Sequence, residues 1–475
     1  MFRNFINRTQ ELEYLNREYS SVNFSFTVIY GRRRVGKTEL IQHFVQDRPH
    51  IYFLADMRGT QSNALRFRKR ASSLFDNVEP AVDTFDEMFE YIREQWKKDE
   101  KLVIVIDEFS YLAQVDESIP SVFQLIVDEI LKDGPFHLIL CGSSISMMEK
   151  TTLAHSSPLY GRRTGQMQVM PLLLQHLHDF FPGFGAEELM RIYGATGGIP
   201  FYLRFFDPDK SFYENVEHSI FSKEAVLYAE GDFLLREELR EPATYMNILY
   251  SISKGATRAG EIAAGAFLET KDLSYYLDTL MKLGFVRKEH PVAEKWSTRK
   301  TIYSIDDPFL RFWFRYVLVH KDSIETGDVS SVIEDLDKSY DRYLGEIFEQ
   351  VGTEMLISLN LQDKLPFRFR SIGRQWGKIP NMPKGKNDYE IDIVALDQDS
   401  KNILFCECKW QKQKTDADVY FSLKEKASHV KWFLERHEHF ALISRSGFTK
   451  RMYEIAEKEN VLLLTLDGYL SSGDK

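Results

Sequence analysis

Cysteine is scarce in this chain, with three residues among 475. So few cysteines exclude a disulfide framework and favour a reducing compartment. Two of them, Cys406 and Cys408, flank Glu407, but Cys-x-Cys without a neighbouring histidine or further cysteine is a poor metal signature. Thiols buried in a strand explain this pair better than a zinc site does.

Long apolar runs and an excess of positive charge are also missing. No run approaches the roughly 20 apolar residues that a membrane helix needs, and the first residues lack the apolar stretch of a signal peptide. We therefore expect a cytoplasmic protein without membrane contact. The net charge of -10 excludes a general attraction to nucleic acid, so DNA binding would require local basic patches.

The chain does contain a glycine loop that matches the nucleotide-binding P-loop pattern at every fixed position. An apolar, β-rich segment (24–30) precedes it and a helical segment (39–46) follows, which is the context that the motif needs. Backbone N–H groups of such a loop face phosphate oxygens at the helix N-terminus. Lys37 is expected to reach the β- and γ-phosphates, and the Thr38 hydroxyl to hold Mg²⁺. The predicted nucleotide-binding residues are Gly31, Arg32, Arg33, Arg34, Val35, Gly36, Lys37 and Thr38.

An acidic pair ends a later apolar strand, residues 101–109. A continuous apolar run suits a strand buried on both faces of a parallel sheet, whose carboxyl edge binds ligands. Asp107 is therefore expected to complete the Mg²⁺ coordination, and Glu108 to orient or deprotonate the attacking water. A solvated acidic turn is the alternative, which the upstream P-loop makes less attractive.

Two further sites are less specific. Ser143 follows the predicted strand 136–141 and is our candidate sensor of the γ-phosphate, although an ordinary Gly-Ser turn fits equally well. Arg162 or Arg163 is a candidate for stabilising transition-state charge, in cis or from a neighbouring subunit of a homo-oligomer. A solvated basic turn explains these two arginines equally well.

Strands alternating with helices predict an α/β fold with a doubly wound parallel sheet in residues 1–205. An ordered set of motifs there resembles the archaeal-type ATPase family, which belongs with the STAND-type signalling ATPases of the AAA-like class. The set is Phe5-Ile6-Asn7-Arg8, Glu11-Leu12, the glycine octet, LVIVIDEF, LILCGSS, LYGRRTG and TGGIP. The resemblance implies ATP as the nucleotide and places Asn7 and Arg8 near the adenine. It also implies that Gly198-Ile199-Pro200 contributes to a nucleotide-sensing region that joins the helical lid.

The middle region, residues 206–330, is predicted to hold that lid and a domain resembling a winged helix. Three helical stretches and a hairpin follow one another: 244–253, 259–264, 271–283, 285–289 and 301–305. The third helix has mixed charge, so a solvated or intramolecular docking face is at least as good an interpretation as DNA binding. The hairpin adds basic residues that phosphates could meet: Arg287, Lys288, Lys295, Arg299 and Lys300. A cluster of aromatic residues at 309–316 is predicted to be core.

The C-terminal region, residues 331–475, carries a second set of charged residues. A predicted helix (340–356) holds Glu346, and neighbouring strands hold Asp392 and the pair Glu407 and Lys409. Asp392 and Glu407 are expected to bind a second divalent metal, Mg²⁺ or Mn²⁺. Lys409 would orient water or stabilise a phosphorane, and Glu346 would add a ligand or base.

This pattern resembles the PD-(D/E)XK nuclease superfamily, with Ile391 where a proline is usual. The segments Ile372-Gly-Arg-Gln-Trp, Glu390-Ile-Asp and Glu407-Cys-Lys-Trp also resemble the DUF234 domain that follows archaeal-type ATPases. A surface hairpin of alternating charge, or a nuclease-like fold without cleavage, remains an alternative. Nearby basic residues would suit a phosphate backbone: Arg368, Arg370, Arg374, Lys384, Lys386, Lys412 and a lysine-rich predicted helix at 422–437.

Two functional hypotheses follow. The first is an ATP-hydrolysing switch coupled to a C-terminal DNA-binding or metal-dependent nuclease-like domain. The second is a regulatory STAND-like ATPase whose C-terminal domain binds a protein or nucleic-acid partner without cleaving it. Metal-dependent cleavage of DNA would separate them.

Overall fold

The computed structural model describes residues 5–76, 79–295, 300–383 and 387–471. Arg299, Lys384 and Lys386, predicted above to meet phosphates, lie outside these ranges. The chain divides into two compact units. The first comprises the chain up to Leu172 together with Ile199–Arg204, and the second comprises Leu173–Gly198 and the chain from Phe205 onward. Within the described ranges, no helix combines the length and the apolarity needed to cross a membrane.

The first unit is built on a parallel sheet, so the predicted α/β fold with a parallel sheet is confirmed. Its strands run in the spatial order β2-β3-β4-β1-β5, with every neighbouring pair parallel. β3 and β4 are buried along their whole length, as expected for apolar strands covered on both faces. The bounds are β1 Ser25–Tyr30, β2 His50–Leu54, β3 Leu102–Asp107, β4 Phe136–Gly142 and β5 Gly165–Gln168.

This order brings the carboxyl ends of β3, β4 and β1 side by side at one edge of the sheet. The helices of this unit include α6, which precedes β4 in the chain. In the structure α6 ends at Leu125 and the chain continues as a π-helical segment, Ile126–Leu131. The helix bounds are α1 Thr9–Ser20, α2 Lys37–Val45, α3 Thr60–Ser72, α4 Phe85–Gln95, α5 Phe109–Val115, α6 Ile119–Leu125 and α7 Ile145–Met148.

The second unit begins with a helical region. α8 (Ala186–Thr196) belongs to it, whereas the short α9 (Pro200–Leu203) returns to the first unit. The three helices and the hairpin predicted in the middle region are present as α12, α13, α14, β6 and β7. The bounds are α10 Phe212–Ser219, α11 Glu230–Glu238, α12 Pro242–Ser253, α13 Ala259–Gly265, α14 Thr270–Lys282, β6 Val286–Glu289, β7 Ile302–Ile305, α15 Pro308–Phe312 and α16 Lys321–Thr326. The aromatic cluster that follows the hairpin is buried, as predicted for core.

The remainder of the second unit is a mixed sheet in the order β12-β11-β10-β9-β8. β8, β9 and β10 pair antiparallel, and β10, β11 and β12 pair parallel. The long helix α17 precedes the sheet in the chain. The bounds are α17 Val329–Leu361, β8 Ser371–Lys378, β9 Asp388–Asp397, β10 Asn402–Lys409, α18 Ala417–Ser428, β11 His437–Ser444, α19 Lys450–Glu459, β12 Leu462–Thr465 and α20 Leu466–Ser471.

Two predictions of helix bounds in this region were wrong. The helix predicted at 340–356 extends over 329–361, and its buried face begins before the predicted start, at Val332 and Leu336. The lysine-rich helix predicted at 422–437 ends instead at Ser428, and His437 begins a strand. The Arg436 guanidinium donates to the carbonyls of Ala427 (2.9 Å) and Val430 (2.6 Å). These carbonyls would accept backbone N–H groups if the helix continued, so Arg436 caps its C-terminal end.

Candidate functional site

The glycine octet forms the turn between β1 and α2, and two of its positions require glycine. Gly31 has a φ of 150°, and a Cβ there would lie 2.5 Å from the carbonyl oxygen of Val169. Gly36, immediately before α2, has a φ of 92°. Backbone in this left-handed region strains any residue with a side chain. The sequence therefore folds this way because glycine stands at both ends of the turn.

Lys37 lies across its own loop. Its ammonium group donates to the carbonyl of Gly31 at 2.7 Å and to the carbonyl of Arg32 at 2.9 Å, and its side chain is buried. The ammonium group therefore lies beside the backbone of the glycine turn. This position fits the predicted role of Lys37 at a phosphate.

Thr38 and Asp107 lie together, although 69 positions separate them in the chain. The Thr38 hydroxyl donates to the Asp107 carboxylate at 2.8 Å, and Asp107 is buried. A hydroxyl and a carboxylate are hard oxygen ligands of the type that Mg²⁺ takes in such sites. Their convergence fits the predicted magnesium ion.

Tyr52 of β2 is a member of this site that sequence reasoning missed. Its hydroxyl donates a hydrogen bond to Asp107. Burial, and then the neighbouring Asp107 carboxylate, raise the pKa of Tyr52, so the phenol remains a donor. Nothing in the pattern of β2 distinguishes this tyrosine from an ordinary strand residue, because the contact depends on the pairing of β2 with β3.

Glu108 is held by Ser143 at the end of the adjacent strand. The Ser143 hydroxyl donates to the carboxylate at 2.8 Å and its backbone N–H donates to the same oxygen at 3.3 Å. Glu108 has a φ of 55°, which costs energy for a residue with a side chain. Ser143 and Glu108, both predicted site residues, are therefore in direct contact, and Ser143 orients the Glu108 carboxylate.

The arginines of the octet make separate contacts. Arg33 donates to the Tyr111 hydroxyl at 3.0 Å. The guanidinium of Arg34 lies over the ring of Phe201 at 4.6 Å from its centroid. Phe201 directly follows Pro200, so this contact holds the start of α9 against the P-loop.

Asn7 and Arg8 connect the start of the chain to the loop. The Asn7 side-chain oxygen accepts from the backbone N–H of Arg8 at 2.6 Å, which forms a turn before α1. Arg8 donates to the carbonyl of Val35 at 2.8 Å and pairs with Glu11 at 2.8 Å. Arg8 is buried, so this contact fixes the N-terminal segment against the octet.

A cavity of about 470 Å³ lies along α2. The ring of Phe5 stacks on His43 at a centroid distance of 4.3 Å, and both residues line the cavity. Gln42 and Gln46 contribute amide groups to it. Flat rings beside amide donors and acceptors match the chemistry of a nucleobase.

Arg162 and Arg163 are engaged elsewhere in the described structure. Arg162 forms an ion pair with Asp128 at 2.8 Å and donates to the carbonyl of Pro158 at 2.7 Å. Arg163 donates to the carbonyl of Thr152 at 3.3 Å. The contacts described for these two side chains are with segments around α6 and α7, and none of them reaches the octet or Glu108.

In the second unit, Asp392 and Glu407 lie on neighbouring antiparallel strands. Asp392 accepts a hydrogen bond from the backbone N–H of Cys408 at 2.8 Å. Burial, and then the nearby Glu407 carboxylate, raise the pKa of Asp392. Cys406 and Cys408 are buried free thiols in β10, as predicted.

Glu407 is held by two lysines. Lys409 contacts it at 2.9 Å, as the spacing suggested, and Lys426 of α18 contacts both of its oxygens at 2.8 and 3.1 Å. Burial lowers the pKa of Lys409, but the facing Glu407 and Asp392 carboxylates outweigh it and raise that pKa overall. Lys426 lies within the lysine-rich helix that the sequence predicted at 422–437, but its contact with Glu407 depends on the packing of α18 against β10 and leaves no local pattern.

On α17 the carboxylate that lines a cavity together with Asp392 is Glu349, one turn after Glu346. Glu346 is largely exposed and pairs with Arg311 at 3.5 Å. Burial, and then the charge of Asp392, raise the pKa of Glu349. Both glutamates lie on α17, where residues three apart lie on neighbouring positions, so only the helix rotation decides which one faces β9.

A cavity of about 420 Å³ adjoins Asp392 and Glu349. Across the residues that the structure describes, no group of three histidine, cysteine, aspartate or glutamate side chains is arranged to hold a metal ion. The carboxylates of Asp392 and Glu349 could supply only part of a metal coordination shell. Water and phosphate oxygens would have to supply the remaining ligands of Mg²⁺ or Mn²⁺.

Comparisons with known proteins agree with this architecture. Residues 5–206 match the model of an ATPase domain predominantly from Archaea. Residues 313–420 match DUF234, a family of archaeal and bacterial proteins of unknown function. The Walker-type ATPase PABY2304 of Pyrococcus abyssi has a similar fold, with a TM-score of 0.51 and 20% identity over 66% of this chain and 96% of that one.

Relatives in Methanocaldococcus jannaschii are closer in sequence. The ATP-binding protein MJ0423 is 46% identical over 44 residues, which is 9% of this chain and 75% of that protein. The protein MJECL04 is 39% identical over 415 residues, which covers 87% of this chain and 89% of that protein. This chain therefore belongs to the same family as MJECL04 and carries an archaeal-type ATPase domain followed by a DUF234 domain.

Proposed function

We propose that the N-terminal domain hydrolyses ATP with Mg²⁺ and thereby switches the C-terminal domain, which binds DNA and acts on its phosphodiester backbone. The observation that carries the ATPase proposal is the convergence of Thr38 and Asp107, at 2.8 Å, beside a Glu108 carboxylate fixed by Ser143. A cation site, a candidate base and a phosphate loop then occupy the ends of adjacent strands.

The roles follow from chemistry. Lys37 and the loop N–H groups bind the β- and γ-phosphates, and Thr38 and Asp107 hold Mg²⁺, which neutralises charge on the phosphate oxygens. Glu108 orients the attacking water and accepts its proton. The cavity beside Phe5 and His43 receives the adenine. Arg162 or Arg163 would reach the γ-phosphate only after leaving its present partners, which a nucleotide-bound homo-oligomer could favour.

For the C-terminal domain, the favoured activity is metal-dependent phosphodiester cleavage. Asp392 and one neighbouring carboxylate, Glu407 or Glu349, would hold a divalent cation together with water and a phosphate oxygen, and the cation would polarise the scissile phosphate. Lys409 and Lys426 supply positive charge beside it. The second candidate, a STAND-like regulator that binds without cleaving, is favoured by the same two lysines, since they already neutralise Glu407.

Contacts within the second unit support coupling between the two activities. The hydroxyls of Tyr340 and Tyr343 on α17 donate to the carbonyls of Arg191 (2.5 Å) and Gly194 (2.7 Å), in the last turns of α8. The chain leaves α8 through Gly198 and enters the P-loop-contacting segment at Ile199. Helix α17 also carries Glu349, so a displacement of α8 would be transmitted to the C-terminal site.

Two variants test the ATPase. Lys37→Ala should abolish ATP binding, whereas Glu108→Gln should retain binding and lose about 10²–10⁴-fold in turnover, the range for a positioned base. Binding is measured with a fluorescent ATP analogue and turnover by phosphate release. Turnover that survives both substitutions would overturn the proposal.

Substitutions of Glu349 and Glu346, which lie one turn apart on α17, test the C-terminal site together with a substitution of Asp392. Glu349→Gln and Asp392→Asn should abolish Mn²⁺-dependent nicking of DNA, and Glu346→Gln should leave it intact because Glu346 pairs with Arg311. DNA binding without nicking by the wild type, in several DNA forms, would favour the regulator instead.

A further inference from the structure

Arg33 occupies one of the positions that the phosphate-loop pattern leaves open to any residue. Its guanidinium donates to the Tyr111 hydroxyl at 3.0 Å, and Tyr111 lies on α5. The backbone N–H of Tyr111 donates to the carbonyl of Glu108 at 2.9 Å, in the first turn of that helix. The contact therefore places the positive charge of a loop side chain beside the helix that begins directly after the candidate base.

The main chain of Arg33 lies beside the Lys37 ammonium group. That group donates to the carbonyl of Arg32 at 2.9 Å, and this carbonyl belongs to the peptide that joins Arg32 to Arg33. Lys37 is proposed to meet the γ-phosphate, and Glu108 to meet the attacking water. The Arg33 side chain begins next to Lys37 and ends at the first turn after Glu108, so the γ-phosphate lies within its reach.

The loop backbone directs Arg33 and Arg34 to different places. Arg34 has a φ of 72°, in the left-handed region that costs energy for a residue with a side chain. Its guanidinium lies over the ring of Phe201, whereas the Arg33 guanidinium contacts Tyr111. Of these two arginines, Arg33 is the one whose described contact lies on the side of Glu108.

We propose that Arg33 is a catalytic residue that stabilises the transition state of ATP hydrolysis within its own chain. The water oxygen bonds to the γ-phosphorus, the bond from that phosphorus to the bridging oxygen breaks, and the water proton moves to Glu108. ADP and inorganic phosphate are the products. The Arg33 guanidinium donates hydrogen bonds to the γ-phosphate oxygens and transfers no proton. This inference rests on the proposed ATP hydrolysis and assigns it an arginine in cis.

A change of hydrogen-bond partner favours this role. A guanidinium binds a phosphate oxygen more strongly than a phenol oxygen, because both partners are then charged. The contact with Tyr111 also holds the guanidinium in place before the nucleotide binds, which lowers the entropy lost in the reaction. Arg162, in contrast, has to break its ion pair with Asp128 before it can reach the same phosphate.

Arg33→Ala in the full chain should lower ATP turnover by about 10³-fold, the lower end of what an arginine at the γ-phosphate supplies. ATP affinity should fall far less, because the contact is made mainly in the transition state. ADP with aluminium fluoride, which mimics that state, should bind to the wild type more tightly than ADP alone, and Arg33→Ala should lose this difference. Phosphate release gives turnover, and displacement of a fluorescent ATP analogue gives the affinities.

Arg93→Ala is the matched control. It removes an arginine from α4 in the same unit, where the guanidinium donates to the carbonyl of Glu129 at 3.3 Å, so turnover should not change. Tyr111→Phe should lower turnover in the wild type but not in the Arg33→Ala background, because Tyr111 acts by positioning the guanidinium. Equal losses in both backgrounds would show that Tyr111 does not act through Arg33.

Three outcomes would overturn the inference. If Arg33→Ala keeps wild-type turnover while Glu108→Gln loses it, Arg33 has no catalytic role and the ATPase proposal stands. If Arg33→Ala loses ATP affinity as much as turnover, the contact is one of binding alone. If the wild type releases no phosphate from ATP, the ATPase proposal and this inference fail together.

A second variant covers the case in which Arg33→Ala does not fold, as judged by circular dichroism. Arg33→Lys keeps the positive charge but not the planar fork of donors, so its turnover should still fall while ATP affinity is kept. Wild-type turnover in Arg33→Lys would then contradict the inference.

Discussion

Ser143 fixes the Glu108 carboxylate through two hydrogen bonds, from its hydroxyl at 2.8 Å and its N–H at 3.3 Å. The two residues end adjacent strands, and Glu108 has a strained φ of 55°. Strain at such a position persists only where the surroundings impose it. The end of β4 thus determines where the acid at the end of β3 points.

Ser143→Ala should reduce ATP turnover by about tenfold, because the carboxylate keeps only the weaker N–H bond and loses its orientation. ATP affinity should change little, since the phosphate loop is untouched. Turnover by phosphate release and affinity by fluorescence give both values. Ser144→Ala is the control, as the Ser144 hydroxyl lies 3.5 Å from Ser146 and makes no described contact with Glu108. Equal turnover in the Ser143 variant and wild type would contradict the role.

Tyr52→Phe should lower the free energy of unfolding by about 1–2 kcal/mol, because buried Asp107 loses a donor to a charged group. Mg²⁺-ATP should reduce this deficit, since the cation then compensates the carboxylate. Thermal unfolding with and without Mg²⁺-ATP measures the difference. Tyr19→Phe, which loses a contact to Glu100 away from the loop, should show the same deficit in both conditions. An unchanged deficit for Tyr52→Phe would show that Asp107 does not meet the cation.

Two glycine substitutions test the packing of α17. A Cβ at Gly194 on α8 would lie 2.6 Å from Leu344 and 3.0 Å from the Tyr340 hydroxyl. Gly194→Ala should therefore destabilise the protein by about 1–3 kcal/mol through overpacking. Gly345 on α17 has open space for a Cβ, so Gly345→Ala should stabilise by about 0.5–1 kcal/mol. Chemical denaturation checks both signs, and a neutral Gly194→Ala would refute the tight α8–α17 contact.

His137 makes stability depend on pH. Burial, then the charges of Lys101 and Arg48, lower the pKa of His137 from 6.5 to about 3. Above about pH 6.5 the imidazole is neutral in both states and contributes no pH dependence. Between about pH 6.5 and 3 the unfolded chain binds a proton that the folded chain refuses, so stability falls by up to about 1.4 kcal/mol per unit.

His137→Gln removes this titrating group and keeps an amide for the Thr27 hydroxyl, which lies 2.9 Å from the histidine ring. Urea denaturation between about pH 5 and 6.5 should therefore give a shallower dependence of stability on pH in this variant, by about one proton. Parallel curves for variant and wild type would contradict the prediction.

Local sequence was sufficient for the nucleotide loop and the acidic strand. Gly31 and Gly36 specify a turn that other residues would strain. The continuous apolar run of β3 favours a strand covered on both faces. Residues such as Lys37 and Thr38 act within a few positions of that turn, so their placement follows from short-range geometry. The parallel sheet followed from the alternation of strands and helices.

Contacts between side chains of different elements could not be predicted from the sequence. Glu346 and Glu349 are equally good acids on one helix. The packing of α17 decides that Glu349 lines a cavity with Asp392, while Glu346 pairs with Arg311. Lys426 reaches Glu407 because α18 packs against β10, which places this lysine beside that strand.

The sequence by itself determined the glycine turn and identified Asp107 as a candidate metal ligand. It also determined the alternation of strands and helices that builds the first sheet. Each of these features depends on residues that are neighbours along the chain. Only the tertiary structure decided which side chains meet across elements: Tyr52 with Asp107, Ser143 with Glu108, and Arg33 with Tyr111. Those contacts depend on strand order and helix rotation, which are set by the packing of the whole core and leave no local pattern.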